Sequence, residues 1–280
     1  MRADLFGIFA FFSFWLGACI ASFLNVVIWR VPRGESIVSP PSHCPRCGAS
    51  IRWFENIPIL SWLALRGRCS RCHLPISPRY VIVEAMGGGL FLAAFLSVGL
   101  LAPFLWVWIS LMIVGTFIDF DHQLLPDFVT VGGMVYGVAL ALASSFLPFP
   151  LIRDAFPLFP ALQPFALPIY NSLLGLALGF GSLWLVRFFG SRAFGREAMG
   201  LGDVFLMGAI GALFGPLSVI VTLIVSSITG SIVGCGLIAV SKARLGNFVL
   251  IPFGPYLCLG CLAWMFYGPE LVGWYVNLMK

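Results

Sequence analysis

The stretch Ala198–Phe214, AMGLGDVFLMGAIGALF, is apolar throughout except for the carboxylate of Asp203. It contains no Lys or Arg that would neutralise this charge. A charged aspartate at the centre of a membrane helix costs roughly 2.5–3.5 kcal/mol even on lenient insertion scales, so an ionisable residue there indicates function. A second apolar stretch ends at Asp119, which opens the segment 119–127, DFDHQLLPD. Two such carboxylates predict an aspartyl protease that works at a face of the bilayer.

The composition is that of an integral membrane protein. Of the 280 residues, 60% are hydrophobic and only 10% are charged, whereas soluble domains carry about 25% charged residues. The run Phe6–Trp29 contains no charge and is longer than the apolar region of a cleaved signal peptide, about 7–15 residues. We therefore expect it to remain as the first transmembrane helix.

The apolar runs predict an all-α polytopic membrane protein with about eight transmembrane helices and a cytoplasmic zinc-binding loop domain. The runs are 6–29, 80–101, 103–118, 128–147, 169–187, 198–214, 217–240 and 249–267. Three regions follow from them: a first transmembrane helix at 1–31, the zinc-binding loop domain at 32–79 and a transmembrane protease domain at 80–280. The proline-rich segment 148–168 is predicted to be an irregular loop on the non-cytoplasmic side.

The distribution of basic residues predicts the orientation. If the N-terminus lies outside, 13 of the 16 Lys and Arg residues fall in inner loops, and Arg2, Arg153 and Lys280 lie outside. Because cytoplasmic loops carry the excess of basic residues, we expect Asp119, Asp203 and the 32–79 loop all on the cytoplasmic side.

Two C-x-x-C knuckles lie in the loop 32–79. They are Cys44-Pro45-Arg46-Cys47 and Cys69-Ser70-Arg71-Cys72, separated by a spacer slightly longer than the usual 15–20 residues. A cytoplasmic location argues against disulfides, so the pattern predicts a structural zinc site with four thiolate ligands. The alternatives are four reduced surface thiols, two redox pairs, or a site in which His43 or His73 replaces a cysteine.

The predicted topology places Asp119 and Asp203 at a similar membrane depth. Two carboxyls that share one proton can divide the work of peptide hydrolysis, one activating water and the other protonating the amide. Gly200 and Gly202 leave the backbone around Asp203 free of side chains, which allows a substrate or a helix to approach closely.

Other roles for these acids remain open from the residues alone. Asp203 could serve as a first-turn acid for its helix dipole or pair with Arg192 or Arg196. Asp121 and Asp127 compete with Asp119 for the catalytic role, although Asp127 also suits the start of a helix.

Taken together, the motifs of this chain resemble those of the bacterial type IV prepilin peptidases. The stretches that carry the resemblance are the two knuckles and Ser22–Pro32 (SFLNVVIWRVP), Asn56–Trp62 (NIPILSW), Arg66–Cys69 (RGRC), Asp119–Asp127 (DFDHQLLPD) and Glu197–Val204 (EAMGLGDV). Together they are distributed over most of the chain, which makes the resemblance specific.

The resemblance implies a polytopic inner-membrane aspartyl protease of the G-x-G-D kind. Such an enzyme cuts the short basic leader from type IV prepilins and type II secretion pseudopilins at the cytoplasmic face. It then N-methylates the new N-terminal residue with S-adenosylmethionine. The family's catalytic pair corresponds to Asp119 and Asp203, and its metal ligands correspond to Cys44, Cys47, Cys69 and Cys72.

The sequence departs from the family pattern at Phe205, where relatives usually have lysine. It also contains no glycine-rich nucleotide loop, since Gly87–Gly89 lies within a predicted span and indicates close helix packing. The binding site for S-adenosylmethionine is therefore not predicted, nor is the oligomeric state. We expect prepilins, pseudopilins and the lipid bilayer as partners, and no nucleic acid.

A different class of function remains as an alternative. A non-catalytic membrane assembly factor or a proton-coupled transporter could use the zinc module for docking and the acids for protons. A transporter would be expected to show repeated halves and a binding site near the bilayer midplane. The predicted acids lie near one face and no repeat is apparent, which favours the enzyme.

Overall fold

The computed structural model describes residues 3–146, 167–241 and 251–279. Secondary structure in these ranges is helical, and they contain two isolated bridges but no strand. The all-α prediction is therefore confirmed. The proline-rich segment predicted at 148–168 lies outside the described residues except at its last two positions.

Each predicted apolar run corresponds to a helix in the described ranges. The helices are α1 Ala3–Arg30, α2 Leu60–Ala64, α3 Arg79–Val98, α4 Ala102–His122, α5 Asp127–Phe146, α6 Pro168–Phe194, α7 Leu201–Phe214, α8 Pro216–Ser241 and α9 Gly254–Leu278. Of these, α2 is a single short helix in the loop between α1 and α3. Proline begins α6 and α8, where its missing N–H costs least, and Gly195 ends α6 in the left-handed conformation.

Five segments of the described chain are long and apolar enough to cross a membrane, and one of them, 79–122, contains both α3 and α4. Helix α7 has only 14 residues, about 21 Å of helix, which is less than the roughly 30 Å of a hydrocarbon core. The ends of two helices also differ from the predicted ends. Helix α4 extends past 118, so Asp119 lies in its last turn, and α9 continues past 267 through Pro269.

The chain forms two compact units, residues 1–118 and 119–280. In the first unit α1 packs against α3 through small residues. A Cβ at Gly17 would overlap the carbonyl of Gly87, and a Cβ at Gly88 would overlap Phe14. The packing role predicted for this glycine run is thus confirmed at Gly87 and Gly88, whereas Gly89 has open space beside it.

In the second unit, α7 is the central helix. Every residue from Asp203 to Phe214 except Phe205 is buried. Helix α6 approaches it so closely that a Cβ at Gly175 would overlap the carbonyl of Gly211, and the hydroxyl of Ser172 donates to the carbonyl of Ala212 at 2.6 Å. Because both sides of this contact lack side chains, the two helix backbones touch directly.

We expect Gly175→Ala to destabilise the second unit, because its methyl group would force α6 and α7 apart. Overpacking of this kind costs about 1–3 kcal/mol. Gly181 lies on the same helix with nothing within 4 Å of its Cβ position, so Gly181→Ala is the matched control. Thermal unfolding in detergent should show a lower Tm for Gly175→Ala alone. Equal Tm values for the two variants would contradict the close contact.

Candidate active site and metal centre

Two buried carboxylates lie in the second unit, one on the last turn of α4 and one on the first turn of α7. Asp119 is 5% exposed and Asp203 is 8% exposed. The charge of Asp119 acts on the carboxyl of Asp203, so the two groups lie within electrostatic reach of one another. Two negative charges in a poorly solvated place repel each other, so the two carboxyls favour a state in which they share one proton.

Backbone donors hold both carboxylates. The N–H of Gly254, the first residue of α9, donates to Oδ2 of Asp119 at 3.0 Å. The backbone of Gly200 forms a hydrogen bond with the carboxylate of Asp203. Each acid therefore has one fixed partner, and its remaining lone pairs can serve the neighbouring acid, a water molecule or a substrate.

Leu125 lies against the glycines beside both acids. A Cβ at Gly202 would be 2.9 Å from Cβ of Leu125, and a Cβ at Gly254 would be 3.3 Å from its Cδ1. Bare backbone at Gly202 does have a close neighbour, but this neighbour is the segment between α4 and α5, where a substrate or a helix was predicted. Gly254 was missed by the sequence analysis. Its only signal is a Gly-Pro pair at the start of an apolar run.

The competing acids are in different surroundings. Asp121 and Asp127 are both exposed, and Asp127 lies in the first turn of α5, as its sequence context predicts. Burial thus separates Asp119 from the two other acids of the same segment, although all three were candidates in the sequence.

A basic residue on α6 fixes the segment that leads into α7. Arg187 donates from Nη1 to the carbonyl of Met199 at 2.7 Å and from Nη2 to Glu197 at 2.8 Å. Arg192, a sequence candidate for pairing with Asp203, has its guanidinium 3.9 Å from the centre of the Phe188 ring. Arg187 was not singled out from the sequence because nothing in its spacing relates it to the G-x-G-D segment.

Phe205 packs against α6. Its ring lies 5.6 Å from that of Phe180, centroid to centroid, in a tilted arrangement. Phe205 therefore forms an aromatic pair two residues after Asp203.

The four cysteines of the two knuckles converge in the first unit. Their Sγ atoms all lie within 4.8 Å of one another, and Sγ of Cys44 is 3.9 Å from Sγ of Cys72. A tetrahedral site with Zn–S bonds of about 2.3 Å requires sulfurs about 3.8 Å apart. The cluster could therefore hold a metal ion. All four cysteines are free thiols, and the cluster found in the described ranges includes neither His43 nor His73.

The two knuckles have the same backbone fold. The N–H of Cys44 donates to Ala49 and that of Cys69 donates to Leu74, each at 2.9 Å. The fourth residue after the first cysteine is left-handed in both, at Gly48 and His73. The backbone N–H groups of Cys72 and Arg71 lower the pKa of the Cys69 thiol to about 7, whereas burial and the neighbouring thiols raise the pKa of Cys72 to about 11.

A buried carboxylate on α3 binds the loop 32–79. Glu84 accepts the N–H of Ile59 at 2.7 Å. Ile59 has φ 63° and ψ −54°, a region that a β-branched residue rarely adopts. The hydrogen bond to Glu84 helps to keep this turn in place. A second contact joins α2 to the end of the loop, where Nε1 of Trp62 donates to the carbonyl of Ile76 at 3.3 Å.

Comparison with known proteins gives consistent matches along the chain. Residues 15–98 match the Bacterial Peptidase A24 N-terminal domain, and residues 106–235 match the Type IV leader peptidase family. No solved structure matches the chain.

Curated relatives align over most of the chain. A prepilin leader peptidase/N-methyltransferase of Myxococcus xanthus is 44% identical over 85% of this chain and 66% of its own length. A type 4 prepilin-like proteins leader peptide-processing enzyme of Escherichia coli is 36% identical over 88% of this chain and 90% of its own length. A prepilin leader peptidase/N-methyltransferase of Stutzerimonas stutzeri is 31% identical over 95% of this chain and 93% of its own. The chain belongs to the type IV leader peptidase family.

Proposed function

We propose that this protein removes the leader peptide from type IV prepilins and type II secretion pseudopilins and then N-methylates the new N-terminal residue. The observation that carries the proposal is that two buried carboxylates, Asp119 and Asp203, lie within electrostatic reach of each other in a chain whose relatives are prepilin leader peptidase/N-methyltransferases. We assign the catalytic role to this pair.

The proposed cleavage uses one ionised and one protonated carboxyl. The ionised carboxylate takes a proton from a water molecule, whose oxygen attacks the carbonyl carbon of the peptide bond. The protonated carboxyl donates its proton to the amide nitrogen as the C–N bond breaks. The proton removed from water stays on the first carboxylate, so one proton has entered and one has left the pair. Burial keeps bulk water from competing.

S-adenosylmethionine is the methyl donor that we propose, and it would supply the methyl group for the amine released by cleavage. Helix α1 fills the space beside Gly87 and Gly88, which leaves no room for the cofactor at these two glycines. We assign no residue of this chain to the cofactor.

For the metal centre we propose zinc, held by Cys44, Cys47, Cys69 and Cys72. Four thiolates in a closed tetrahedral arrangement are typical of structural zinc and leave no position for a substrate or water. The ion would join the two knuckles and so stabilise the loop 32–79.

The family and the apolar segments make this a multi-pass membrane protein. We propose that it lies in the bacterial inner membrane with its N-terminus outside and the carboxylate pair on the cytoplasmic side, because that orientation places most basic loop residues inside. We also propose the division into a first transmembrane helix at 1–31, a zinc-binding loop domain at 32–79 and a protease domain at 80–280.

The alternative of a non-catalytic assembly factor or a proton-coupled transporter is not favoured. The relatives carry enzyme names, and two interacting buried acids at helix ends fit hydrolysis better than a path for protons through a bilayer.

Asp119→Asn and Asp203→Asn should each lower leader cleavage at least about 100-fold, because each removes a group that transfers a proton. Incubation of the purified variants with a prepilin, followed by mass spectrometry of the product N-terminus, measures this directly. Asp127→Asn, which changes an exposed acid of the same segment, is the control and should retain activity. Full cleavage by Asp119→Asn together with its loss in Asp121→Asn would contradict the assignment.

The purified protein should contain about one zinc per chain, and Cys44→Ser should lower that content. Cys19→Ser is the control, since Cys19 is a free, exposed thiol on α1 outside the cluster. Elemental analysis of the folded wild type and of both variants measures the zinc content, and cleavage and methylation are assayed in parallel. An active preparation that contains no metal would exclude the zinc proposal.

A further inference from the structure

We infer that Gly254, at the start of α9, is a positioning residue of the cleavage site, whose backbone N–H and missing side chain fix the carboxylate of Asp119. The inference rests on the proposed function for its kinetic consequence, but the contact itself can be tested without any substrate. It adds a third part of the chain to a site that the sequence motifs confine to the segments 119–127 and 197–204.

The hydrogen bond between Gly254 and Asp119 depends on the position of Gly254 at the start of α9. The first N–H groups of a helix have no partner within the helix, and Pro255 has none to donate. Gly254 therefore supplies the available donor of this first turn, and it directs that donor to Oδ2 of Asp119 at 3.0 Å. The positive end of the helix dipole adds to the attraction for a carboxylate.

The absence of a side chain at position 254 is required by the same contact. A Cβ there would be 2.6 Å from Oδ2 of Asp119 and 3.3 Å from its Cγ. Because Gly254 is buried, the added methyl group has no open side to turn to. Any larger residue would therefore push the carboxylate away from its hydrogen bond.

The displaced carboxylate would have little room on the side of Leu125. That side chain would itself be 3.3 Å from the new Cβ and already lies against Gly202, the residue before Asp203. A shift at position 254 would thus reach both acids of the pair. Since misplacement of a catalytic group by about 1 Å can cost 100-fold in rate, the effect on cleavage should be large.

Gly260 provides a matched control on the same helix. A Cβ at Gly260 would be 2.7 Å from the carbonyl oxygen of Thr222 on α8, so Gly260→Ala introduces similar crowding away from Asp119. Per folded molecule, Gly254→Ala should lower kcat for a prepilin on the order of 100-fold with KM little changed. Gly260→Ala should lower the folded amount and leave kcat per folded molecule near that of the wild type.

A double-mutant cycle on thermal unfolding tests the contact independently of cleavage. Asp119→Ala removes the atoms that obstruct a methyl group at position 254, so the loss of Tm caused by Gly254→Ala should fall by at least half in the Asp119→Ala background. The loss caused by Gly260→Ala should be the same in both backgrounds. Should Gly254→Ala fail to fold by itself, folding of the double variant Gly254→Ala/Asp119→Ala would give the same answer.

The outcomes separate the two proposals. A wild-type protein that does not cleave prepilins contradicts the proposed function, while the unfolding cycle still decides the contact. Equal Tm losses for Gly254→Ala in the two backgrounds, or an unchanged kcat in folded Gly254→Ala, would overturn the positioning role.

Discussion

The close approach of α6 and α7 is the contact on which the second unit depends. Glycine faces glycine at Gly175 and Gly211, and Gly179 faces the backbone of Met207. In lipid there is little hydrophobic gain in bringing apolar helices together, so close packing and hydrogen bonds between helices must supply the attraction. This contact allows α7, too short to span a bilayer by itself, to be buried along its length and to hold Asp203 in a fixed place.

The candidate active site is formed by helix ends rather than by helix faces. Asp119 ends α4, Asp203 lies in the first turn of α7 and Gly254 begins α9. Helix ends carry unpaired N–H groups, so they can hold carboxylates in an otherwise apolar unit. The same positions lie near a membrane surface in our proposed orientation, where a soluble leader peptide could reach them.

The loop 32–79 obtains its order in a different way. Helix α2 and the 3-10 turns are short, and many of the apolar side chains are exposed, Val38 and Trp53 most of all. The two equivalent knuckles bring four sulfurs together, and Glu84 on α3 holds the turn at Ile59. A bound metal ion would thus hold together a loop that is too small to form an apolar core of its own.

The sequence by itself determined the helices and the four-sulfur cluster. Apolar runs bounded by proline and glycine define helices through local chemistry, and the C-x-x-C spacing defines each knuckle within a few residues. Tertiary structure decided which acid of the segment 119–127 is buried, brought Gly254 to Asp119, and placed Phe205 against Phe180. These contacts join residues that are far apart in the sequence. Which residues meet depends on how the helices pack, and neither the hydrophobic period nor the motif spacing encodes that packing.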